Sequence, residues 1–410
     1  MSKIAYIVQK FPSLTITFIY REIMTLRARG LEIAVFSTWQ PRRSELSQEA
    51  VDLMGSTFYI FPLDKIRFLR AHLHYLVIRP FKYIGTLLFL WRQPGTGIKG
   101  RLRLLYHFAE AVYLAEEVER QQVRHIHAGF ASNPANLALI VSRLTGISFS
   151  FAAHAHGIFA EPLLLREKLA AAKFVIASTR YNKDYLTARF PDIAPGKIRI
   201  IYHGVSVQDF QPGLRKRNGL PMILSVAQFR EKKGLPFLVE ACAILKKEGH
   251  KFECCIVGDG AQRRHLEALI EKHNLQDTVR LEGIVFQEQL KDYYRRADIL
   301  ALPSLVASDG DRDGIPVTLI EAMATGCPVV STSVSGIPEL VEDKRTGLLV
   351  PPGDAPTLAQ ALLTLLQDED LRGQMGRASR ERVVRQFDIK DSVSKVADLF
   401  LEELEGNKGP

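Results

Sequence analysis

A short apolar segment followed by a polar loop and a helix most constrains how this chain can fold. Residues Ile299 to Leu302 predict a buried strand, and the loop after them is rich in Asp and Gly. Pro316 is placed as in the first turn of a helix, and Gly326 as at a helix end. Asp313 and Gly314 therefore lie at a helix N-terminus, beyond the carboxyl end of a strand. Open α/β sheets bind ligands at such places, where free N–H groups attract phosphate.

Two carboxylates lie beside this predicted phosphate-binding position. Asp313 precedes the helix, and Glu321 follows within it. Carboxylates accept hydrogen bonds from hydroxyl groups, so the pair, together with the helix N-terminus, suits a sugar nucleotide. The alternative is that Asp313 only caps the helix and that Glu321 lies on its solvent-exposed face. The motif alone favours neither interpretation.

The Asp residues of the loop also resemble the start of an EF-hand calcium site. Asp309, Asp311 and Asp313 alternate along the chain, and Gly314 follows them. An EF-hand loop needs a bidentate Glu at its twelfth position, but Ile320 is found there. No amphipathic helix precedes the loop either. We therefore reject a calcium site and predict no metal-binding residues.

The segment from Asp313 to Pro338 resembles the nucleotide-sugar-dependent glycosyltransferases of family 4. The family pattern has Glu, seven residues, a second Glu, and then a helix and a Gly-x-Pro-Val-Val strand; Glu321 and Gly326-Cys-Pro-Val-Val match it. Asp313 departs from the pattern, because it replaces the first Glu with a shorter carboxylate. The resemblance implies the GT-B fold, an α/β architecture of two Rossmann-like, doubly wound domains that face each other across a cleft.

Strand-like and helix-like segments alternate in both halves of the chain, as this architecture requires. The expected segments are an N-terminal acceptor domain (1–205) with a basic insertion (about 61–109), a linker (206–221), a nucleotide-sugar donor domain (222–386) and a C-terminal helix that crosses back to the first domain (387–410). Gly258-x-Gly260 follows a predicted strand, but Arg263 replaces the third Gly of the dinucleotide-binding fingerprint. The sequence therefore argues against an NAD-dependent oxidoreductase.

The turn after the first strand of the second half resembles the family's diphosphate-binding loop. It runs from Gln228 to Gly234, where the family has an Arg at the start and a Lys before the Gly. Lys233 matches the Lys, Gln228 replaces the Arg, and Arg230 is a nearby source of positive charge. Cations at this turn would stabilise a departing diphosphate. The alternative is a solvated turn.

The resemblance also assigns roles to the residues of the donor site. Asp313 would bind hydroxyl groups of the donor sugar, and Glu321 would bind the ribose. The predicted donor-binding residues are Gln228, Arg230, Lys233, Gly314, Ile315, Pro316, Val317 and Glu321.

A histidine completes the predicted catalytic set. His154 follows the predicted strand Ser148 to Ala153 and takes the place of the active-site His in the family's Phe-Thr-Ala-His-Ala-x-Asp-Ile segment, whereas Gly157 replaces the Asp. We expect His154 to approach the reacting sugar from the domain opposite Asp313 and Glu321. His127 also ends a predicted strand and is expected to face the same crevice.

The resemblance implies a reaction as well as a fold. A UDP- or GDP-sugar would donate its sugar, with retention of configuration and without a metal or cofactor, to a glycan or polyprenyl-diphosphate-linked acceptor in bacterial polysaccharide biosynthesis. The first loop resembles that of exopolysaccharide- and colanic-acid-type members at Thr15, but Ile16 replaces a Glu. The alternative function is a catalytically inactive GT-B protein that binds sugar nucleotides or glycans, which the departures at Gln228, Asp313 and Gly157 motivate.

Charge is unevenly distributed along the chain. The net charge is +9, and the segment from Lys65 to Ala109 contains Lys, Arg and bulky apolar residues but no Asp or Glu. We expect this segment to contact an anionic membrane surface, the alternative being solvated helix faces. No nucleic-acid-binding motif accompanies the charge. The four cysteines show no metal or disulfide spacing, and no signal peptide is evident, so we expect a cytoplasmic protein, peripheral at the inner face of the cell membrane.

Overall fold

Short apolar strands form the cores of two separate parallel sheets. The computed structural model describes residues 3–13, 16–43, 46, 48–193, 195–213 and 219–406. Thr15 and the middle of the predicted linker, residues 214–218, lie outside the described residues. The chain divides into a first unit, Met1–Ser178 with Asn182–Ile201 and Val393–Pro410, and a second unit, Thr179–Tyr181 with Tyr202–Ser392.

The first unit contains a parallel sheet of seven strands. Its strands are β1 (Lys3–Lys10), β2 (Glu32–Trp39), β3 (Thr57–Phe61), β4 (Val123–Ala128), β5 (Ser148–Ala153), β6 (Val175–Ala177) and β7 (Ile198–Ile200). They are arranged in the order β3-β2-β1-β4-β5-β6-β7. Ile4 of β1 pairs with Ile33 on one side and His125 on the other. The central strands are almost entirely buried, as expected where helices cover both faces of a parallel sheet.

Nine helices are described before the second sheet begins. They are α1 (Thr17–Ala28), α2 (Gln48–Met54), α3 (Lys65–Ile78), α4 (Pro80–Trp91), α5 (Ile98–Arg120), α6 (Asn133–Thr145), α7 (Ala155–Phe159), α8 (Leu165–Ala171) and α9 (Arg180–Arg189). Local chemistry sets several of their ends. The Asp64 carboxylate accepts hydrogen bonds from two backbone N–H groups in the first turn of α3. Gly146 ends α6 with a φ of +89°, which glycine adopts readily.

The second unit contains a parallel sheet of six strands. Its strands are β8 (Met222–Val226), β9 (Glu253–Val257), β10 (Val279–Gly283), β11 (Ile299–Leu302), β12 (Val329–Thr332) and β13 (Gly347–Val350), in the order β10-β9-β8-β11-β12-β13. The helices are α10 (Leu235–Lys247), α11 (Arg263–Lys272), α12 (Gln287–Arg296), α13 (Val317–Ala324), α14 (Ile337–Leu340), α15 (Ala355–Gln367) and α16 (Glu369–Gln386). The last helix, α17 (Ile389–Gly406), starts in this unit and belongs to the first unit from Val393 onward.

Both sheets have the strand order of doubly wound folds, so the predicted pair of Rossmann-like sheets is confirmed. The order reverses between β1 and β4 in the first sheet, and between β8 and β11 in the second. The connections leave the sheet in opposite directions at this point and open a crevice at the carboxyl ends of the strands. The loops after β8 and β11 carry the residues predicted to bind the donor.

Candidate donor-binding site

Two loops at the carboxyl edge of the second sheet are packed against each other. Gly234 ends the loop after β8 with a φ of +63°, and a Cβ there would lie 1.9 Å from the carbonyl oxygen of Pro303, just after β11. The backbone N–H of Leu305 donates a hydrogen bond of 2.9 Å to the carbonyl of Lys232. Only glycine satisfies both the backbone angle and the close approach, so Gly234 lets the two loops meet.

A cluster of charges fills the contact between these loops. The Lys233 ammonium lies 2.7 Å from a carboxylate oxygen of Asp313. The Lys232 ammonium lies 3.2 Å from Asp311 and 3.4 Å from Asp313, and Arg230 lies 3.2 Å from Asp311. Three cations therefore surround two carboxylates that are themselves largely buried. This places Arg230, Lys233 and Asp313, three of the predicted site residues, within one cluster.

Lys232 and Asp311 were not predicted as site residues. Asp311 is buried, and it is the carboxylate that both Lys232 and Arg230 contact. The sequence signal for Asp311 is the alternation of Asp309, Asp311 and Asp313, which resembles the start of a calcium loop. The second signal is the pair of adjacent lysines, Lys232 and Lys233, of which the family resemblance assigned a donor-binding role only to Lys233.

The cations keep Asp313 ionised despite its burial. Burial by itself would raise the pKa of this carboxyl group, but the Lys233 and Lys232 ammoniums outweigh it and lower the pKa below its ordinary value. The hydroxyl of Ser304 also donates a hydrogen bond of 3.3 Å to the same carboxylate. Asp313 is thus a fixed negative group able to accept hydrogen bonds from hydroxyls.

Two further carboxylates, those of Glu231 and Asp309, hold the loop after β11 in place. Glu231 accepts hydrogen bonds from both the backbone N–H and the hydroxyl of Ser308, each at 2.9 Å. The Asp309 side chain accepts from the backbone N–H of Asp311 at 2.8 Å. These contacts fix the backbone between the sheet edge and the helix, and so fix the directions in which Asp311 and Asp313 point.

Backbone N–H groups at the N-terminus of α13 are available as hydrogen-bond donors, but Pro316 is not one of them. Pro316 has an extended backbone, so α13 begins one residue later, at Val317. Proline has no N–H group and cannot donate to a phosphate. Among the described residues, the backbone N–H groups of Gly314, Ile315 and Val317 donate no hydrogen bond. These three groups lie beside the cations and are available to a ligand.

Glu321 lies in α13, and side chains of α12 hold its carboxylate. It is buried, and it accepts hydrogen bonds from Tyr294 at 2.8 Å and Gln287 at 2.9 Å. The interpretation of Glu321 as a solvent-exposed residue is therefore wrong. Gln228, at the other end of the predicted set, has an exposed side chain, and its carbonyl accepts from the backbone N–H of Arg230 at 2.8 Å.

His154 lies in the first unit, directly after β5. Its ring contacts those of Phe18 and Phe130, with centroid separations of 5.6 Å and 5.0 Å. Gly157, where the family has Asp, is buried in the short helix that follows. A Cβ at Gly157 would lie 2.8 Å from the backbone nitrogen of Ser132. The departure at Gly157 therefore has a steric cause in this fold.

His127 does not face a crevice, so this expectation is wrong. Its ring is fully buried. The Nδ1 atom of the ring forms a hydrogen bond of 2.8 Å with the Ser150 hydroxyl, and the ring packs against Phe400 of α17. Burial lowers the pKa of His127 to about 3, so the ring is neutral at physiological pH. The position at a strand end suggested a ligand-facing side chain, but the packing of α17 against this strand covers it.

Within the described residues, no group of three or more His, Cys, Asp or Glu side chains is arranged to hold a metal ion. None of the described helices combines the length and the apolar character needed to cross a membrane.

The second half of the chain is similar to proteins of a known family. Residues 206–382 match the family described as glycosyl transferases group 1. The chain is 44% identical over 205 residues to the amylovoran biosynthesis glycosyltransferase AmsK of Erwinia amylovora, a match that covers 50% of each protein. The chain thus spans about half the length of this curated relative.

Solved structures share the architecture along the full chain. The sucrose-phosphate synthase of Thermosynechococcus elongatus superimposes with a TM-score of 0.74 at 22% identity, covering 99% of this chain and 100% of the other. Anabaena HepE, in complex with UDP and glucose, gives a TM-score of 0.73 at 16% identity and covers 98% and 100%. At this identity the likeness establishes the fold alone. The chain therefore has the GT-B fold, and its residues 206–382 match the glycosyl transferases group 1 family.

Proposed function

We propose that this protein is a glycosyltransferase that moves a sugar from a nucleoside diphosphate sugar to a glycan or polyprenyl-diphosphate-linked acceptor in bacterial polysaccharide biosynthesis. The observation that carries the proposal is the cluster of Arg230, Lys232 and Lys233 beside the free N–H groups at the start of α13. Cations and a helix N-terminus together suit a diphosphate, which carries charge in the substrate and more in the leaving group. The name of the amylovoran relative supports the pathway.

The roles of the carboxylates follow from their positions around this cluster. Asp313, ionised and next to Lys233, would accept hydrogen bonds from hydroxyls of the donor sugar. Glu321 lies about one helix turn after Val317, the first residue of α13, and its carboxylate would accept hydrogen bonds from the ribose hydroxyls. The nucleotide is a uridine or guanosine diphosphate in our proposal. The sugar would be transferred with retention of configuration.

No metal takes part in the proposed reaction. The positive charge that metals supply to diphosphates in other enzymes would come here from Lys232, Lys233 and Arg230. Activity should therefore persist when the purified protein is treated with EDTA. Loss of activity that returns with manganese or magnesium would contradict this part of the proposal.

The first experiment is a thermal-shift panel with UDP, GDP, ADP and their common sugar conjugates. A ligand at a hundred times its Kd stabilises the folded protein by about 2.7 kcal/mol. A selective rise with one nucleotide identifies the donor, and release of free sugar or its transfer to an acceptor then measures turnover. Failure of every nucleotide to stabilise the protein would overturn the proposal. Binding without any turnover would instead support an inactive sugar-nucleotide-binding protein.

His154 of the first unit is the third proposed catalytic residue. The His154→Ala variant should lose turnover much more than affinity for the free nucleoside diphosphate, because the ring is expected to meet the sugar rather than the base or ribose. Phe130→Leu, which removes a ring that contacts His154, controls for local packing. Equal losses of affinity and turnover in His154→Ala would exclude this role.

A further inference from the structure

Three neighbouring helices expose apolar side chains along one face each. More than half of the large apolar side chains that are exposed in the described residues lie between Ile66 and Tyr106. Successive members are three or four residues apart, so each set follows one face of its helix. The sets are Ile66, Leu69, Leu73 and Val77 on α3; Phe81, Ile84, Leu88 and Trp91 on α4; and Ile98, Leu102 and Tyr106 on α5. We call these eleven residues the apolar stripes.

The opposite faces of the same helices are firmly packed. Tyr75 of α3 and Leu90 of α4 are fully buried in the core of the first unit. The Tyr75 hydroxyl donates a hydrogen bond of 2.6 Å to Glu119 of α5, and Arg79 lies 2.9 Å from the same residue. The helices therefore pack onto the first unit through these faces, and the apolar stripes remain outside its core.

Eight of the nine basic residues between Lys65 and Ala109 fall into two groups; the ninth, Arg101, is half-buried, and its guanidinium lies 5.6 Å from the centre of the Trp91 ring. Four arginines form ion pairs with glutamates outside the acid-free segment, namely Arg67 with Glu117, Arg70 with Glu116, Arg79 with Glu119 and Arg103 with Glu161. Another four residues are exposed and form no ion pair within the described part of the chain, namely Lys65, Lys82, Arg92 and Lys99. The region is therefore less basic in effect than its sequence suggests.

Each of the four unpaired cations directly neighbours the terminal residue of an apolar stripe. Lys65 adjoins Ile66, Lys82 adjoins Phe81, Arg92 adjoins Trp91, and Lys99 adjoins Ile98. Phe81, Ile66 and Ile98 are 91%, 83% and 78% exposed. At a bilayer surface, the apolar side chain of such a pair can enter the boundary of the acyl chains, and the neighbouring cation can stay among the phosphate headgroups.

We propose that the apolar stripes and these four cations form a docking surface for an anionic phospholipid bilayer. The helices lie in the headgroup layer, since none of the described helices combines the length and the apolar character needed to cross the hydrocarbon core, which is about 30 Å thick. Docking does not depend on the proposed transferase activity. If that activity holds, docking brings the first unit to a lipid-linked acceptor while the soluble donor binds the second.

The charges favour a membrane over a second copy of the chain as the occupant. Two copies that met through this surface would bring eight unpaired cations into one interface. The segment from Lys65 to Ala109 contains no Asp or Glu that could offset them. Desolvating like charges opposes such a contact. An anionic bilayer supplies both an apolar layer and phosphate groups of the opposite sign.

Vesicle co-sedimentation of the full chain tests this surface. Wild type should sediment with vesicles of phosphatidylcholine and phosphatidylglycerol, more weakly with phosphatidylcholine alone, and less as salt increases. The variant Ile66→Ser, Phe81→Ser, Ile98→Ser should bind at least tenfold less. Ile284→Ser, a highly exposed apolar residue of the second unit, should bind like wild type.

A charge variant tests the contribution of the four unpaired cations to membrane binding. Changing Lys65, Lys82, Arg92 and Lys99 to Gln should remove the salt-dependent part of binding. The matched control changes four exposed lysines elsewhere, namely Lys247, Lys251, Lys272 and Lys344, and should retain it. All variants should show the wild-type response to nucleotides in thermal shift, which separates failure of docking from failure of the donor site.

Three results would overturn the proposal. The first is that wild type does not sediment with anionic vesicles at low salt. The second is that the matched control loses as much binding as the charge variant, which would show that only overall charge matters. The third is that wild type forms a dimer that the Ser variant abolishes, because the surface would then be occupied by a second copy.

Discussion

At the residue scale, the candidate donor-binding site shares three cations between two buried carboxylates. Asp311 contacts Arg230 and Lys232, whereas Asp313 contacts Lys232 and Lys233. A diphosphate that entered this cluster would take over part of the hydrogen bonding of the cations. Its affinity therefore depends on how many cations the carboxylates leave available, and each cation can be tested alone.

The Lys233→Gln variant should bind UDP or GDP about 10- to 100-fold more weakly. A hydrogen bond to a charged group contributes about 1.5–3 kcal/mol, and about 1.4 kcal/mol corresponds to a factor of ten in Kd. Affinity for the matching nucleoside, which has no phosphate, should be unchanged. Calorimetry with both ligands measures the difference, and Lys247→Gln is the control on an exposed lysine. If nucleoside affinity falls equally, Lys233 acts by supporting the loop instead.

Glu321 requires a variant that separates binding from packing, because two side chains already donate to its carboxylate. Glu321→Gln should keep the fold and lose at least tenfold in nucleotide affinity, since an amide has one acceptor oxygen where the carboxylate has two. Tyr294→Phe removes one donor and leaves the carboxylate, so it should lose much less. Affinities from titration calorimetry decide this. Equal losses would show that Glu321 acts only by holding Tyr294.

At the element scale, the meeting of the loops after β8 and β11 depends on a single glycine. Gly234→Ala combines an unfavourable positive φ with a Cβ that would lie 1.9 Å from the Pro303 carbonyl oxygen. Gly353→Ala has a similar φ of +76°, but its nearest neighbour, Phe237, is 3.8 Å away. The backbone strain is therefore shared, and the clash is specific to Gly234.

We expect Gly353→Ala to lower the free energy of unfolding by about 1 kcal/mol, and Gly234→Ala to lower it clearly more. Only Gly234→Ala should also weaken nucleotide binding, because the loops that carry Lys232 and Asp311 must move apart. Denaturant unfolding and calorimetry give the two quantities. Nucleotide affinity that is unchanged in a folded Gly234→Ala protein would mean that the loops need not touch to form the site.

The elements themselves were largely predictable from the sequence, whereas the contacts between them were not. The bounds of β5 and β11 match the predicted strands, since unbroken apolar runs are local signals. The contact between Lys232 and Asp311 joins residues 79 positions apart, and no local pattern encodes it. The burial of His127 likewise depends on Phe400, which arrives from the far end of the chain.

At the scale of the whole molecule, the first unit buries ionisable groups of both signs. Burial lowers the pKa of Lys168 to about 7 and raises the pKa values of Glu22 and Glu110 to about 7. Lys168 is fully buried and donates hydrogen bonds to the Asn136 side chain at 2.9 Å and to the carbonyl of Ala131. Unfolding of this unit exposes all three groups, so its stability must change with pH.

The sign differs between the acids and the lysine. The folded pKa values of Glu22 and Glu110 lie above the ordinary value of 4.5, so their contribution to stability falls as pH rises from about 4.5 to 7 and changes little above that. The folded pKa of Lys168 lies below its ordinary value of 10.5. Between pH 7 and 10.5 the unfolded chain therefore binds a proton that the folded protein lacks, and stability rises with pH.

The interval from about pH 8 to 9.5 reports mainly on the lysine, because the folded pKa values of both acids are about 7 and both are therefore largely ionised there in the folded and unfolded states. The unfolding free energy of wild type should rise by up to about 1.4 kcal/mol per pH unit. Lys168→Met removes the titrating group and should flatten this dependence, whereas Lys247→Met, at an exposed site, should not. Denaturant titrations at several pH values measure the slopes. Equal slopes in wild type and Lys168→Met would mean that the oxygens of Ala131 and Asn136 keep the buried lysine protonated throughout this interval.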